Sequence, residues 1–163
     1  MRASFVPFPG TPELKTLTVG GYTYLGKNGA AGLKKQRFGG LIGYSYGVVL
    51  VGAEYDSRTD GVVNAADVSG NVFSLFTEIK LPIAELQSKL SLLFRYDSCD
   101  PNDSKDNDKI NFFIAGLAWK LNEKISIVLD RQIITTDTRT MKSNAGTFLD
   151  KDEKWFLHTI LSF

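Results

Sequence analysis

The sequence predicts an all-β fold, an antiparallel up-and-down β-barrel that crosses a membrane on its strands. Three observations lead there. Segments with apolar residues at every second position recur at intervals of about 10 to 25 residues along the chain. The 163 residues are 12% aromatic with 15 Gly and only 5 Pro, which suits many short strands joined by turns. Within the periodic segments one face is nearly free of charge, while the other carries both signs.

Eight strands are expected, near 15–25, 36–46, 48–57, 71–81, 88–97, 109–121, 125–135 and 154–163. They form a barrel domain over 15–163 that follows an N-terminal extension at 1–14. In the first, Leu17 to Tyr22 leaves the phase open. In the second, Phe38, Ile42, Tyr44 and Tyr46 oppose Lys35 and Arg37; in the third, Val49, Val51, Ala53 and Tyr55 oppose Glu54 and Asp56. The fourth sets Phe73, Leu75, Ile79 and Leu81, interrupted by Thr77, against Glu78 and Lys80. In the fifth, Leu90, Leu92, Phe94 and Tyr96 point away from Lys89, Ser91, Arg95 and Asp97. The sixth carries Phe113, Ala115, Leu117, Trp119 and Leu121 opposite Lys120, and the seventh Ile127, Leu129 and Ile133 opposite Asp130. Arg131 breaks the pattern by joining the apolar set, and is expected near a rim where a long side chain reaches water. The eighth places Trp155, Leu157, Thr159, Leu161 and Phe163 on one face and Phe156, His158, Ile160 and Ser162 on the other.

A soluble barrel would put charge outside and apolar side chains within. Here the polarity reads inverted, because a charge exposed at mid-bilayer costs about 2 to 4 kcal/mol and one face excludes it repeatedly. Tyr22, Tyr24, Tyr44, Tyr46, Tyr96, Trp119 and Trp155 fall near strand ends, where interfacial aromatics belong. Tight turns are expected at Tyr46-Gly47 and at 122–124, and a somewhat longer one, with a helical turn, at 82–87. Long polar connections are expected near 26–35, 58–70, 98–108 and 136–153. Long and short then alternate throughout, which predicts an even strand count with both chain ends on the short-turn side.

Composition excludes several classes. With 19 Lys+Arg against 18 Asp+Glu there is no basic field to attract nucleic acid, and Cys99 alone supports neither an internal disulfide nor a cysteine-rich zinc site. No stretch approaches the roughly 20 apolar residues of a membrane helix. The first ten residues lack the apolar core of a secretion signal.

Several segments resemble a known group. The final strand, closing on Phe163, resembles the carboxy-terminal sorting strand of bacterial outer-membrane barrels. Arg95-Tyr96-Asp97, Asp100-Pro101-Asn102, the run Phe113 to Lys120, and Leu129-Asp130-Arg131-Gln132 resemble the last strands of Gram-negative porins, most closely the phosphate-selective porin-like group. Arg37-Phe38-Gly39-Gly40 and Gly52-Ala53-Glu54-Tyr55-Asp56 are similar to porin strands too; Arg131 departs from the aromatic usual at its position. Family members are longer and commonly trimeric, so the resemblance implies the carboxy-terminal half of such a barrel. It further implies an outer-membrane location, a possible homotrimer, and contact with outer-membrane lipid, lipopolysaccharide and the barrel-insertion machinery, which would read Trp155, Leu157, Leu161 and Phe163.

The functional expectation is passive diffusion of small hydrophilic solutes or ions, with no enzymatic activity, cofactor or metal. Lys35, Arg37, Glu54, Asp56, Glu78, Lys80, Lys89, Arg95, Asp97, Lys120 and Asp130 are the expected pore-lining residues. Facing rows of opposite charge tune selectivity in a wide pore, whereas in a closed eight-strand barrel the same groups would merely pair. Both readings stay open, as do a non-conducting membrane anchor or adhesin and a soluble lipocalin-like carrier. Against the carrier stand the inverted faces and the lack of an amino-terminal Gly-x-Trp. The Asp-rich run 97–108 reads as a solvated loop rather than a calcium site, lacking the Gly and closing Glu of that pattern. His158 reads as a structural hydrogen-bonding group. Lys34, Lys35 and Arg37 are grouped as a contact for lipopolysaccharide phosphates or as a plain solvated strand start. No nucleophile elbow, phosphate loop or dinucleotide fingerprint occurs.

Overall fold

The computed structural model describes residues 1–29, 32–83, 89–137, 141–142 and 148–161. The described residues form eleven strands: β1 (Arg2–Phe5), β2 (Thr18–Asn28), β3 (Leu33–Tyr46), β4 (Val49–Asp60), β5 (Val68–Lys80), β6 (Leu90–Asp100), β7 (Ile110–Lys120), β8 (Ile125–Thr136), β9 (Met141–Lys142), β10 (Phe148–Leu149) and β11 (Lys151–Leu161). Nine of them form one antiparallel up-and-down sheet in the order β1-β2-β3-β4-β5-β6-β7-β8-β11. The hairpin β9-β10 projects from the connection between β8 and β11.

Two expectations change. The sheet is open rather than closed into a barrel, with β1 and β11 as its edges. The expected extension 1–14 contributes a ninth strand, because Arg2–Phe5 pair with Tyr22–Val19 and the Met1 amino group donates to Thr23 O at 2.7 Å. That strand sets Met1 beside Thr23, part-way toward the long-connection end, whereas Leu161, the last described residue, lies at the short-connection end, so the two do not share a side.

The strands also run further than their apolar residues. Charged residues at the upper ends, such as Lys27, Lys34 and Asp60, stay in the hydrogen-bonded ladder because their side chains project to water while the backbone pairs. The connections shrink accordingly, and the strict alternation of lengths fails: 29–32 is short where a long loop was expected, and 81–89 is longer than its neighbours at 47–48 and 121–124. The expected helical turn at 82–87 falls largely outside the described residues. Local chemistry sets the tight turns. Gly47 takes a left-handed φ of 56° between β3 and β4. Between β7 and β8, Asn122 Oδ1 accepts the amides of Lys124 and Ile125 at 2.8 and 2.9 Å.

Register gives the sheet its tilt. One row of partners runs Thr18, Gly43, Gly52, Phe76, Arg95, Ile114, Gln132, Lys154. Thr18 begins β2, whereas Lys154 lies near the opposite, long-connection end of β11. The strand ends thus drift by roughly one residue per strand; at about 3.4 Å per residue and 4.8 Å between strands this is a tilt of about 35°. Closed barrels need a stagger of this size.

Among the described residues no second layer covers either face, since substantial contacts join only hydrogen-bonded neighbours. Val128 is the one buried hydrophobic residue among those described, and no side chain is fully enclosed. The surface is 11216 Å², against about 8,000 Å² for a compact chain of this mass. Many large apolar side chains are part of that surface. Phe38, Ile42, Tyr46, Tyr55, Phe73, Leu75, Leu117, Trp119, Leu129, Trp155 and Leu157 are all exposed, and the register puts all of them on one face.

The buried residues of the sheet, Gly52, Gly70, Ser74, Ser91, Val128, Asp130 and Thr136, lie on the other face. The charged face is therefore the more enclosed of the two, and is the concave one in that sense. Its large aromatics lie flat over glycines: Phe76 covers Gly52, and Tyr22 and Asp56 close over Gly39 from the flanking strands. A Cβ at Gly39 or Gly52 would overlap those groups, while one at Gly43 would meet nothing within 4 Å. Gly39→Val and Gly52→Val are therefore expected to lose about 1 to 3 kcal/mol in urea unfolding, and Gly43→Val to unfold near the parent midpoint.

Candidate functional site

The alternation of each strand and the register between strands place Lys35, Arg37, Glu54, Asp56, Glu78, Lys80, Arg95, Asp97, Lys120 and Asp130 on the concave face. Lys89 precedes β6, but its carbonyl accepts the Lys120 amide at 2.8 Å, so it continues the same face opposite Lys120. The phase of β2, open in the sequence, is fixed by pairing: Tyr22 and Tyr24 share the charged face, and Val19, Gly21, Thr23 and Leu25 the apolar one. The two tyrosines therefore leave the expected interfacial belt. Tyr44, Tyr46, Tyr96, Trp119 and Trp155 remain on the apolar face.

Toward the long connections, charges on the concave face neutralise one another. Arg37 Nη2 grips both carboxylate oxygens of Asp60 at 2.7 and 2.9 Å, and Arg95 Nε donates to Asp97 at 2.9 and 3.0 Å. Lys154 pairs with Asp152 along β11. Near the centre of β8, Asp130 is 4% exposed and is held on both oxygens, by Gln132 Nε2 at 2.8 Å and His158 Nε2 at 2.9 Å. His158 thus has the structural role expected of it, linking β11 to β8 across a diagonal pair.

The short-connection end is arranged differently. Lys80, Lys89 and Lys120 sit on three adjacent strand ends and line a recess of 810 Å³ with Glu78, Ser91 and Glu123. Lys89 and Lys120 are direct cross-strand partners, an arrangement that normally destabilises a sheet. Among the described residues none of the three lysines has an ion-pair partner within 4.0 Å. The concave face therefore runs from an end with several direct ion pairs to one where three lysines face Glu78 and Glu123 without an ion pair within 4.0 Å among the described residues.

On the apolar face charge is confined toward the long-connection end. Arg131, in the middle of β8, donates through Nε to Glu153 at 2.8 Å and lies 5.9 Å from the Trp155 ring, so its charge is paired with an acid nearer the long-connection end. Trp155, Leu157 and Leu161 of the last strand are 66%, 72% and 56% exposed on this face; Phe163 lies outside the described residues. The expected grouping of Lys34 with Lys35 and Arg37 does not hold, because alternation puts Lys34 on the apolar face and the other two on the concave face.

The first part of the Asp-rich loop spends its oxygens locally, while Asp108 Oδ1 is buried without a hydrogen-bond partner. Asp100 Oδ1 accepts the Asn102 amide, Asn102 Oδ1 accepts the Ser104 amide, Asp103 binds Asn71, and Arg58 donates to Pro101 O. Among the described residues no group of three His, Cys, Asp or Glu side chains is placed to hold a metal ion. Missed from the sequence were the buried Ser74 and the flat-lying Phe76, whereas Ser91 was expected on the charged face and Tyr22 was assigned to the aromatic belt instead. The parity of Phe76 with Glu78 was readable, but its contact with Gly52 requires the cross-strand register. No family model, curated protein or solved structure matches the chain.

Removing the Asp130 carboxylate leaves two donors unpaired, so Asp130→Ala is expected to cost about 1 to 3 kcal/mol in chemical unfolding. Lys89→Gln relieves repulsion with Lys120 and is expected to leave stability unchanged or to raise it by up to about 1 kcal/mol.

Proposed function

We propose that this sheet is part of the wall of an outer-membrane porin-like channel, through which small hydrophilic solutes or ions diffuse passively. The observation that carries the reading is the division of the faces: an exposed apolar face suited to hydrocarbon, and a concave face bearing charges of both signs, suited to water. A strand tilt of about 35° agrees with that of transmembrane barrels. The bare edges at β1 and β11 support membership of a wider barrel, completed by further strands or further copies. A wide barrel leaves room for water, whereas eight strands alone would be filled by side chains.

Transport in this reading needs no covalent step. The flattened aromatics keep the concave face open, the paired ends of Arg37–Asp60 and Arg95–Asp97 fix side-chain positions, and the lysines at the short-connection mouth bias the sign of the ions that pass. The partner of the apolar face is membrane lipid, in the outer membrane of a Gram-negative cell. The last strand supplies Trp155, Leu157 and Leu161 as its insertion signal.

Planar-bilayer conductance tests the channel. The protein is expected to conduct, and Lys80→Glu, Lys89→Glu and Lys120→Glu together are expected to shift the reversal potential in a salt gradient toward cation preference. A protein that inserts and stays silent refutes the channel and leaves an anchor. Trp119 and Trp155 are expected to be quenched by acyl-brominated lipids, and the absence of quenching refutes the membrane face.

A further inference from the structure

The upper part of the β2-β3 pair on the apolar face combines two features that no part of the pore reading uses. Lys27 and Lys34 are direct cross-strand partners, two like charges on a face where Arg131 and Lys151 are both paired with Glu153. Asp67 lies 3.2 Å from Lys34, while Lys27 has no ion-pair partner among the described residues. They line a recess of 420 Å³ with Leu25 and Gln36. Past the Leu25–Gln36 and Thr23–Phe38 pairs, Gly21 and Gly40 are also partners and floor a separate furrow of 470 Å³ between Ala3, Phe38 and Tyr55. The glycines leave this furrow open: a Cβ at Gly40 would meet nothing nearer than Gly20 O at 3.8 Å. From the lysine rung to the glycine rung is six residues, about 20 Å along the strands, which matches an extended acyl chain hanging from its head group.

We propose that this surface seats a phosphorylated membrane lipid, its phosphoryl group between Lys27 and Lys34 and one acyl chain along the Gly21–Gly40 furrow. Charge complementarity selects the head group: a phosphoryl oxygen between the two ammonium groups offsets a repulsion that Asp67 meets on one side only. The apolar floor selects a lipid rather than a free phosphate. Lys35 and Arg37, on the concave face, take no part.

The inference rests on the apolar face meeting lipid, and the test separates the two. The 163-residue chain in micelles is examined by native mass spectrometry with phosphatidic acid or phosphatidylcholine of the same chains, alongside quenching of Trp119 and Trp155 by acyl-brominated phosphatidylcholine. Phosphatidic acid is expected to be retained in preference. Lys27→Gln and Lys34→Gln should each lower that preference about fivefold, Lys27→Arg with Lys34→Arg should keep it, and Lys120→Gln should leave it unchanged. Gly40→Leu should reduce retention of both lipids by filling the furrow. Tryptophan quenching with a preference untouched by the glutamine pair, or release of phosphatidic acid by equimolar glycerol phosphate, overturns the lipid seat alone. Absence of quenching overturns the lipid-facing reading as well.

Discussion

The backbone ladder and its register hold this molecule together, because nothing else can. In an ordinary domain a second layer buries one face and fixes which way each strand points. Here Val128 is the one buried hydrophobic side chain among the described residues, and both faces are open. The hydrogen-bonded pairing from β1 to β11 therefore carries both architecture and chemistry. A slip of one residue anywhere would send Glu54 or Arg95 to the apolar face and Leu75 or Phe94 to the charged one. Strong two-sided contrast between the faces makes such a slip costly in a membrane setting, so patterning and pairing reinforce one another.

The charge distribution adds a direction to this symmetric framework. Where acids and bases pair across or along strands, as in Arg37–Asp60 and Arg95–Asp97, partly exposed contacts contribute modestly to stability and chiefly hold side chains in place. Asp130 differs because it is enclosed, and its two donors come from its own strand and from the sheet's last strand. Among the described residues the lysines at the short-connection end make no ion pair within 4.0 Å, although Glu78 and Glu123 share their recess, so the field along the concave face is uneven.

Much of this was legible in the sequence, for a physical reason. Alternation of apolar and charged side chains is a local property, and Leu90, Leu92, Phe94 and Tyr96 against Ser91, Arg95 and Asp97 show it without knowledge of any neighbour. All eight expected strands occur in the sheet, with ends shifted by up to a few residues. What depends on neighbours was not legible. Arg2–Phe5 is too short to show a period, and becomes a strand only by pairing with β2. The phase of β2 was hidden because Gly20 and Gly21 carry no polarity signal, which misplaced Tyr22 and Tyr24. Lys34, Lys35 and Arg37 looked like one patch because adjacency in sequence was read as adjacency in space, while a strand sends neighbouring side chains to opposite sides. Closure could not be read at all, since it joins the two ends of the order rather than any pair within it.

Because each strand touches essentially its two neighbours alone, cooperativity here is one-dimensional. Stability accumulates as a chain of nearest-neighbour couplings, so order can spread outward from the β3-β4 hairpin, whose two strands are joined through Gly47 alone with Val48. Loss is equally directional. Peeling begins at the outermost strands and proceeds inward one hairpin at a time, which makes the diagonal link from His158 to Asp130 a latch on the fraying end.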